Sequence, residues 1–131
     1  MKLKFFVLIT FVIFGALSTA GQKAEPKRIK FAKGTNSKTV TGVLSNNQQQ
    51  EYVIGAQQGQ TLTVLITSRP RGKYHSFNIL GDGIDFATDY DVNYSYQVRL
   101  PESGDYLIYV TKRPTKRNKT ARFYLKVKVV N

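Results

Sequence analysis

In "RFYLKVKVV", residues 122–130, apolar and polar side chains alternate almost one for one. Successive side chains of a β-strand point to opposite faces, so this pattern describes a strand with one packed face and one wet face. Phe123, Leu125, Val127 and Val129 are expected inward, and Tyr124, Lys126 and Lys128 outward. The same period recurs in "TLTVLITS" (61–68), around Leu62, Val64 and Ile66. In "DYDVNYSYQVRL" (89–100) it puts Tyr90, Val92, Tyr94, Tyr96, Val98 and Leu100 on one face. Asp89, Asp91, Asn93, Ser95, Gln97 and Arg99 fall on the other. Shorter strands are predicted at 28–32, 38–44, 51–56, 75–80 and 104–111. Polar turn signals separate them: "AKGTNS", "SNNQQQ", "AQQGQ", "SRPRGK", "GDG" and "PESG". About eight short strands without helical periodicity predict an all-β fold, a single antiparallel β-sandwich over residues 28–131.

The first 20 residues follow a different logic. "MKLK" is a short basic stretch, "FFVLITFVIFGAL" is continuously apolar, and Ser18 and Ala20 are the small residues of "STA". That order predicts a cleavable signal peptide with the cut near Ala20, and the apolar run is too short and wrongly flanked for a spanning helix. After cleavage no integral membrane segment is expected. Residues 21–27, "GQKAEPK", read as a flexible leader. Loss of Lys2 and Lys4 lowers the net charge from +12 to +10. With no cysteine in the chain, the domain must stand on its hydrophobic core, which a chain of this size can build. An exported, cysteine-free domain fits a periplasmic location better than a harsher exterior.

Catalytic chemistry finds little support. The single histidine is His75, and no nucleophile-elbow sequence accompanies it. Without cysteine, the usual zinc sites are excluded. Asp89, Asp91, Asn93 and Ser95 match the start of a calcium loop, but that loop needs Gly at its sixth position and Glu at its twelfth. Tyr94 and Leu100 stand there. Strand-face exposure accounts for most of the eight carboxylates. The chain is therefore read as a binding protein without cofactor or metal, not as an enzyme. Eight tyrosines and a basic surface could form a stacking groove for single-stranded nucleic acid. Export argues against that partner, and inward tyrosines build cores. The sequons "NYS" (93–95) and "NKT" (118–120) are read as chance matches.

One cluster asks for a partner. "TKRPTKRNKTAR", residues 111–122, carries Lys112, Arg113, Lys116, Arg117, Lys119 and Arg122 and no acid. It lies between two predicted strands. The surrounding stretch "LPESGDYLIYVTKRPTKRNKTARFYLKVKV" (100–129) resembles the C-terminal part of the periplasmic inhibitors of g-type lysozyme. "RIKFAKGTNSKTVTG" (28–42), "EYVIGAQQGQTLTV" (51–64) and "GDGIDFATDYD" (81–91) follow the same family's order. The family is a small exported β-sandwich, related in architecture to the domains that follow secreted peptidases.

The resemblance implies occupation of a lysozyme's active-site cleft, with protection of peptidoglycan. Such a cleft holds catalytic carboxylates, and a projecting cationic loop can pair with them. The family's pattern has two arginines four apart just after a strand. Here the ungapped frame puts Lys112 and Lys116 at those positions, with Arg113 and Arg117 one residue later. Tyr52 matches the family's tyrosine on an earlier strand. Ser103, Gly104 and Tyr106 match its turn motif, with Gly104 read as a turn glycine requiring positive φ. Tyr106 is left between core packing and a hydroxyl presented at the turn. Lys119 and Arg122 are read as solvated charges. The expected partner-binding set is Tyr52, Ser103, Tyr106, Lys112, Arg113, Lys116 and Arg117, and the expected partner is g-type lysozyme. The competing reading is a non-catalytic sugar- or envelope-binding module. Long exposed strands allow a homodimer by edge pairing, and nothing requires one.

Overall fold

The structure, a computed structural model, describes residues 25–88 and 93–131. The expected signal peptide, the first part of the leader and residues 89–92 of the expected 89–100 strand lie outside the described residues. The rest is all-β, with no helix among the described residues. The strands are β1 (Lys27–Arg28), β2 (Ser37–Ser45), β3 (Gln49–Ala56), β4 (Thr61–Arg69), β5 (His75–Gly81), β6 (Ile84–Ala87), β7 (Asn93–Arg99), β8 (Gly104–Lys112) and β9 (Thr120–Val130). They form a five-stranded sheet ordered β1-β3-β8-β5-β6 and a four-stranded sheet ordered β2-β9-β4-β7.

Alternation explains why the two sheets pack. Leu62, Val64 and Ile66 on β4 and Phe123, Leu125 and Val127 on β9 are each no more than 2% exposed. Facing them from the other sheet are Ile54, Phe77, Ile79, Ile108 and Val110. Burying each such side chain contributes about 1.5–3 kcal/mol, which sustains a domain that has no disulfide. On the outer face Arg122, Lys126 and Lys128 are exposed, and the Arg69 guanidinium lies 5.9 Å from the Tyr124 ring centroid. On β7, Tyr96 and Val98 pack against the core while Ser95, Gln97 and Arg99 are exposed.

Four expectations are corrected. The sandwich is not wholly antiparallel: β1 pairs with β3 in parallel, Lys27 with Tyr52 and Arg28 with Val53. The strand expected at 28–32 ends at Arg28. Ile29 and Phe31 alternate as strand residues would, but they reach the core because the chain crosses there from one sheet to the other. A ninth strand, β6, follows the "GDG" turn and pairs with β5 from Gly81–Ile84 to Asn78–Ala87. The turn was legible, whereas four residues are too few to show a period. "SNNQQQ" is a tighter turn than expected. Gln49 and Gln50 belong to β3, and the buried Gln50 amide donates to the carbonyl oxygens of Glu25 (3.3 Å) and Glu51 (2.9 Å).

Strand direction decides which loops meet. β8 runs from Gly104 to Lys112, so "PESG" (101–104) and the 113–119 loop lie at opposite ends of the sandwich. The 113–119 loop shares its end with the β2–β3 turn (46–48) and the β4–β5 loop (70–74).

Candidate functional site

The 113–119 loop leaves β8 in one sheet and enters β9 in the other. It contains two cation-rich steps, a proline and no apolar residue to pack it. Hydrogen bonds hold it instead. Lys112 is 0% exposed, and its Nζ donates to Asn46 Oδ1 (2.9 Å), the Arg113 carbonyl (2.7 Å) and Thr115 Oγ1 (3.1 Å). The ammonium also lies 5.2 Å from the Tyr74 ring centroid, within cation–π range. All three acceptors are neutral, so the charge is held by dipoles and a ring face. Burial pushes the Lys112 pKa down, and the neighbouring Arg113 charge adds to this.

Asn46 is the second strut. Its Nδ2 donates to the Thr115 carbonyl (2.8 Å), and its Oδ1 also accepts from the Thr115 amide (3.1 Å). Backbone bonds from Asn46 to Lys119 and from Asn47 to Lys112 complete the link between the turn and the loop. Asn47 and Asn118 adopt φ of 66° and 52°, a left-handed conformation that asparagine tolerates better than most residues. Tyr74 closes the third side: its carbonyl accepts from the Arg113 amide (2.9 Å), and its hydroxyl accepts from Asn118 Nδ2 (2.7 Å).

Outside this buried knot stand the charges. Arg113, Lys116, Arg117 and Lys119 are exposed on one loop, and Arg69, Arg71 and Lys73 are exposed at the neighbouring one. Neither loop nor the 46–48 turn contains an acid. The surface presents guanidinium and ammonium groups on an organised backbone, a chemistry suited to carboxylate or phosphate groups. Among the described residues, no cluster of three or more His, Asp or Glu could hold a metal ion.

The structure does not gather the expected set on one rim. Arg113, Lys116 and Arg117 are exposed together, while Lys112 offers them support from inside and has no surface of its own. Tyr52 is 3% exposed and pairs with Ile108 in mid-sheet, with its ring edge toward Phe123 at 6.4 Å. It lines a groove between the two sheets with Lys27, Arg28, Lys38 and Val40. Ser103 and Tyr106 lie at the far end. Ser103 Oγ accepts from the Gln58 amide at 2.8 Å. Tyr106 is buried, its hydroxyl donates to the Glu102 carbonyl, and it accepts from the Glu102 amide at 3.2 Å. The ring packs in the core, and the hydroxyl locks the turn from within. Gly104 has φ 147°, and a Cβ there would meet no atom within 4 Å, so conformation and not space requires glycine.

Sequence reasoning missed the contribution of "SRPRGK". Its spacing marks a turn, and only the topology brings Arg71, Lys73 and Tyr74 beside a loop some 40 positions later. His75, the lone histidine, is 1% exposed, with Nδ1 2.7 Å from Ser68 Oγ and its ring edge-on to Phe123 at 5.4 Å. Burial lowers its pKa to about 4, and the positive charge of Lys112 acts in the same direction.

No family model matches the chain. No curated protein matches it. Solved structures do. The crystal structure of the Aeromonas hydrophila periplasmic inhibitor of g-type lysozyme has a TM-score of 0.68 and 28% identity, covering 82% of this chain and 97% of that one. The corresponding Salmonella Typhimurium inhibitor has a TM-score of 0.61 and 22% identity, covering 82% and 99%. A pre-peptidase C-terminal domain from a Bacillus anthracis collagenase has a TM-score of 0.56 and 17% identity, covering 82% and 99%. At these identities the last two speak for the fold alone. The likeness seen in the ordered stretches between residues 28 and 129 thus extends to the whole sandwich, which is similar to the periplasmic inhibitors of g-type lysozyme and to a pre-peptidase C-terminal domain.

Proposed function

We propose that this protein inhibits g-type lysozyme by seating its 113–119 loop in the enzyme's active-site cleft, and that it is an exported periplasmic binding protein and not an enzyme. The observation that carries the reading is the fold-wide likeness to the Aeromonas hydrophila inhibitor at 28% identity. The physical support is a cationic loop whose backbone is held before any partner arrives. Preorganisation lowers the entropy lost on binding. A lysozyme cleft holds carboxylates, and an arginine fork binds a carboxylate through two hydrogen bonds. Arg113, Lys116 and Arg117 are the proposed contact cations, with Lys112 positioning them from within. Tyr52, Ser103 and Tyr106 act through the scaffold. Signal cleavage near Ala20 belongs to the same proposal.

The test is a cell-wall lysis assay with purified protein against g-, c- and i-type lysozymes. Slowing of the g-type enzyme at micromolar protein is expected, and its absence overturns the reading. Co-sedimentation with peptidoglycan without any inhibition would instead favour an envelope-binding module.

A further inference from the structure

The positive charge at this end exceeds what a cleft with a pair of carboxylates can use. The exposed cations are Arg113, Lys116, Arg117 and Lys119 on one loop and Arg69, Arg71 and Lys73 at the other. The two loops touch through Tyr74, which bonds both Arg113 and Asn118. Behind them the Lys112 ammonium is fully buried. At the root of the loops Arg69 and Arg122 stand directly opposite each other in the β4–β9 register. Like charges placed opposite in a sheet destabilise it, which the contact of Arg69 with the Tyr124 ring offsets in part.

Neither loop carries an acid, Glu25 and Glu51 lie near the start of β3 toward the same end, and three other described acids lie at the opposite end. Asp82 sits in the β5–β6 turn, Glu102 in the turn before β8 and Asp105 at the start of β8, and all three are exposed at the far end of the sandwich. Asp105 is further neutralised by Arg28, at 2.8 Å. The end of β4 and the two touching loops thus gather seven exposed cations with no acid among them. Cations spread over two loop tips at one end are matched by a surface that offers many anions at once. Among the described residues, the large apolar side chain that is exposed is Val43, which lies on β2 and not on these loops. Adsorption to headgroups is therefore favoured over insertion into acyl chains.

We propose that this end of the protein docks, end-on, against a phosphate-bearing anionic lipid surface. The proposal stands independently of lysozyme inhibition, and its test does not use inhibition as a readout. The purified protein is sedimented with phosphatidylcholine vesicles with and without phosphatidylglycerol, over a range of salt. Two charge-matched pairs are compared: Arg71→Gln with Lys73→Gln at the basic end, and Lys126→Gln with Lys128→Gln on the sheet face. Thermal melts confirm that both remain folded.

Partition onto the phosphatidylglycerol vesicles is expected to fall steeply with salt. Each cation removed from the docking end lowers it by about fivefold, so the 71/73 pair loses about 25-fold. The 126/128 pair is expected to lose no more than about threefold, from the change in net charge. Equal losses in the two pairs would overturn end-on docking. No partition at low salt would overturn the proposal outright. Inorganic polyphosphate is the other arm: tight binding to it with no partition onto vesicles would reject the lipid surface in favour of a soluble polyanion.

Discussion

Replacing Lys112 with Met separates a loop-bracing lysine from one that touches a partner. Methionine keeps the buried chain's length and removes the ammonium. Three charge-assisted hydrogen bonds disappear, to Asn46, Arg113 and Thr115, each contributing about 1.5–3 kcal/mol. Against this, the folded state no longer holds a charge away from water, a relief of several kcal/mol. The acceptors do not all become orphans: Asn46 Oδ1 keeps the Thr115 amide, and Thr115 Oγ1 keeps the Arg117 carbonyl. The Arg113 carbonyl loses this donor. The balance is a net loss of about 2–3 kcal/mol. For a domain of this size that lowers Tm by about 10 °C. The chain has no tryptophan, so unfolding is followed by circular dichroism and urea midpoints. Inhibition measured well below Tm should weaken by about tenfold, because the cations remain but their backbone is looser. An unchanged Tm, within about 0.5 kcal/mol, together with abolished inhibition would refute the reasoning. Lys112 would then be acting on the partner directly.

Four further outcomes follow from the geometry. His75 has a folded pKa of about 4 against about 6.5 unfolded, so the unfolded chain binds the extra proton between these values. Stability is full above pH 6.5 and falls by up to about 3 kcal/mol as pH drops toward 4; denaturant midpoints that stay flat between pH 7 and 4.5 would contradict this. Tyr106→Phe removes the hydroxyl that locks Glu102 and should cost about 1–2 kcal/mol while leaving lysozyme inhibition intact, since that turn lies at the far end. A Cβ on Gly42 would meet the Phe123 ring at 2.8 Å, so Gly42→Ala should destabilise by about 1–3 kcal/mol, read from the urea midpoint. Arg113→Ala and Arg117→Ala, measured well below Tm, should each weaken inhibition by about 2 kcal/mol or more, while Lys119→Ala changes little; graded, equal losses across all three would argue for diffuse charge attraction instead.

The period-two pattern determined the all-β class and the inward faces of β4, β9 and the described part of β7, and turn residues marked most of the turns. Those are local consequences of side-chain alternation and turn chemistry. The parallel pairing of β1 and the short β6 were not legible, because a two- or four-residue segment has no period and its pairing depends on a neighbour distant in sequence. For the site, charge density at residues 111–122 was plain in the sequence, but which charges face outward was not. Lys112 and Arg113 are adjacent and equally basic, yet β8 extends to Lys112 and continues its inward alternation from Tyr106, Ile108 and Val110. That register sends Lys112 into the core and leaves Arg113 outside. Strand direction likewise set Ser103 and Tyr106 at one end and the cationic loop at the other, and it brought Arg71 and Lys73 beside that loop. Composition fixes how much charge a chain carries; the register and direction of its strands decide which charges meet and which are buried.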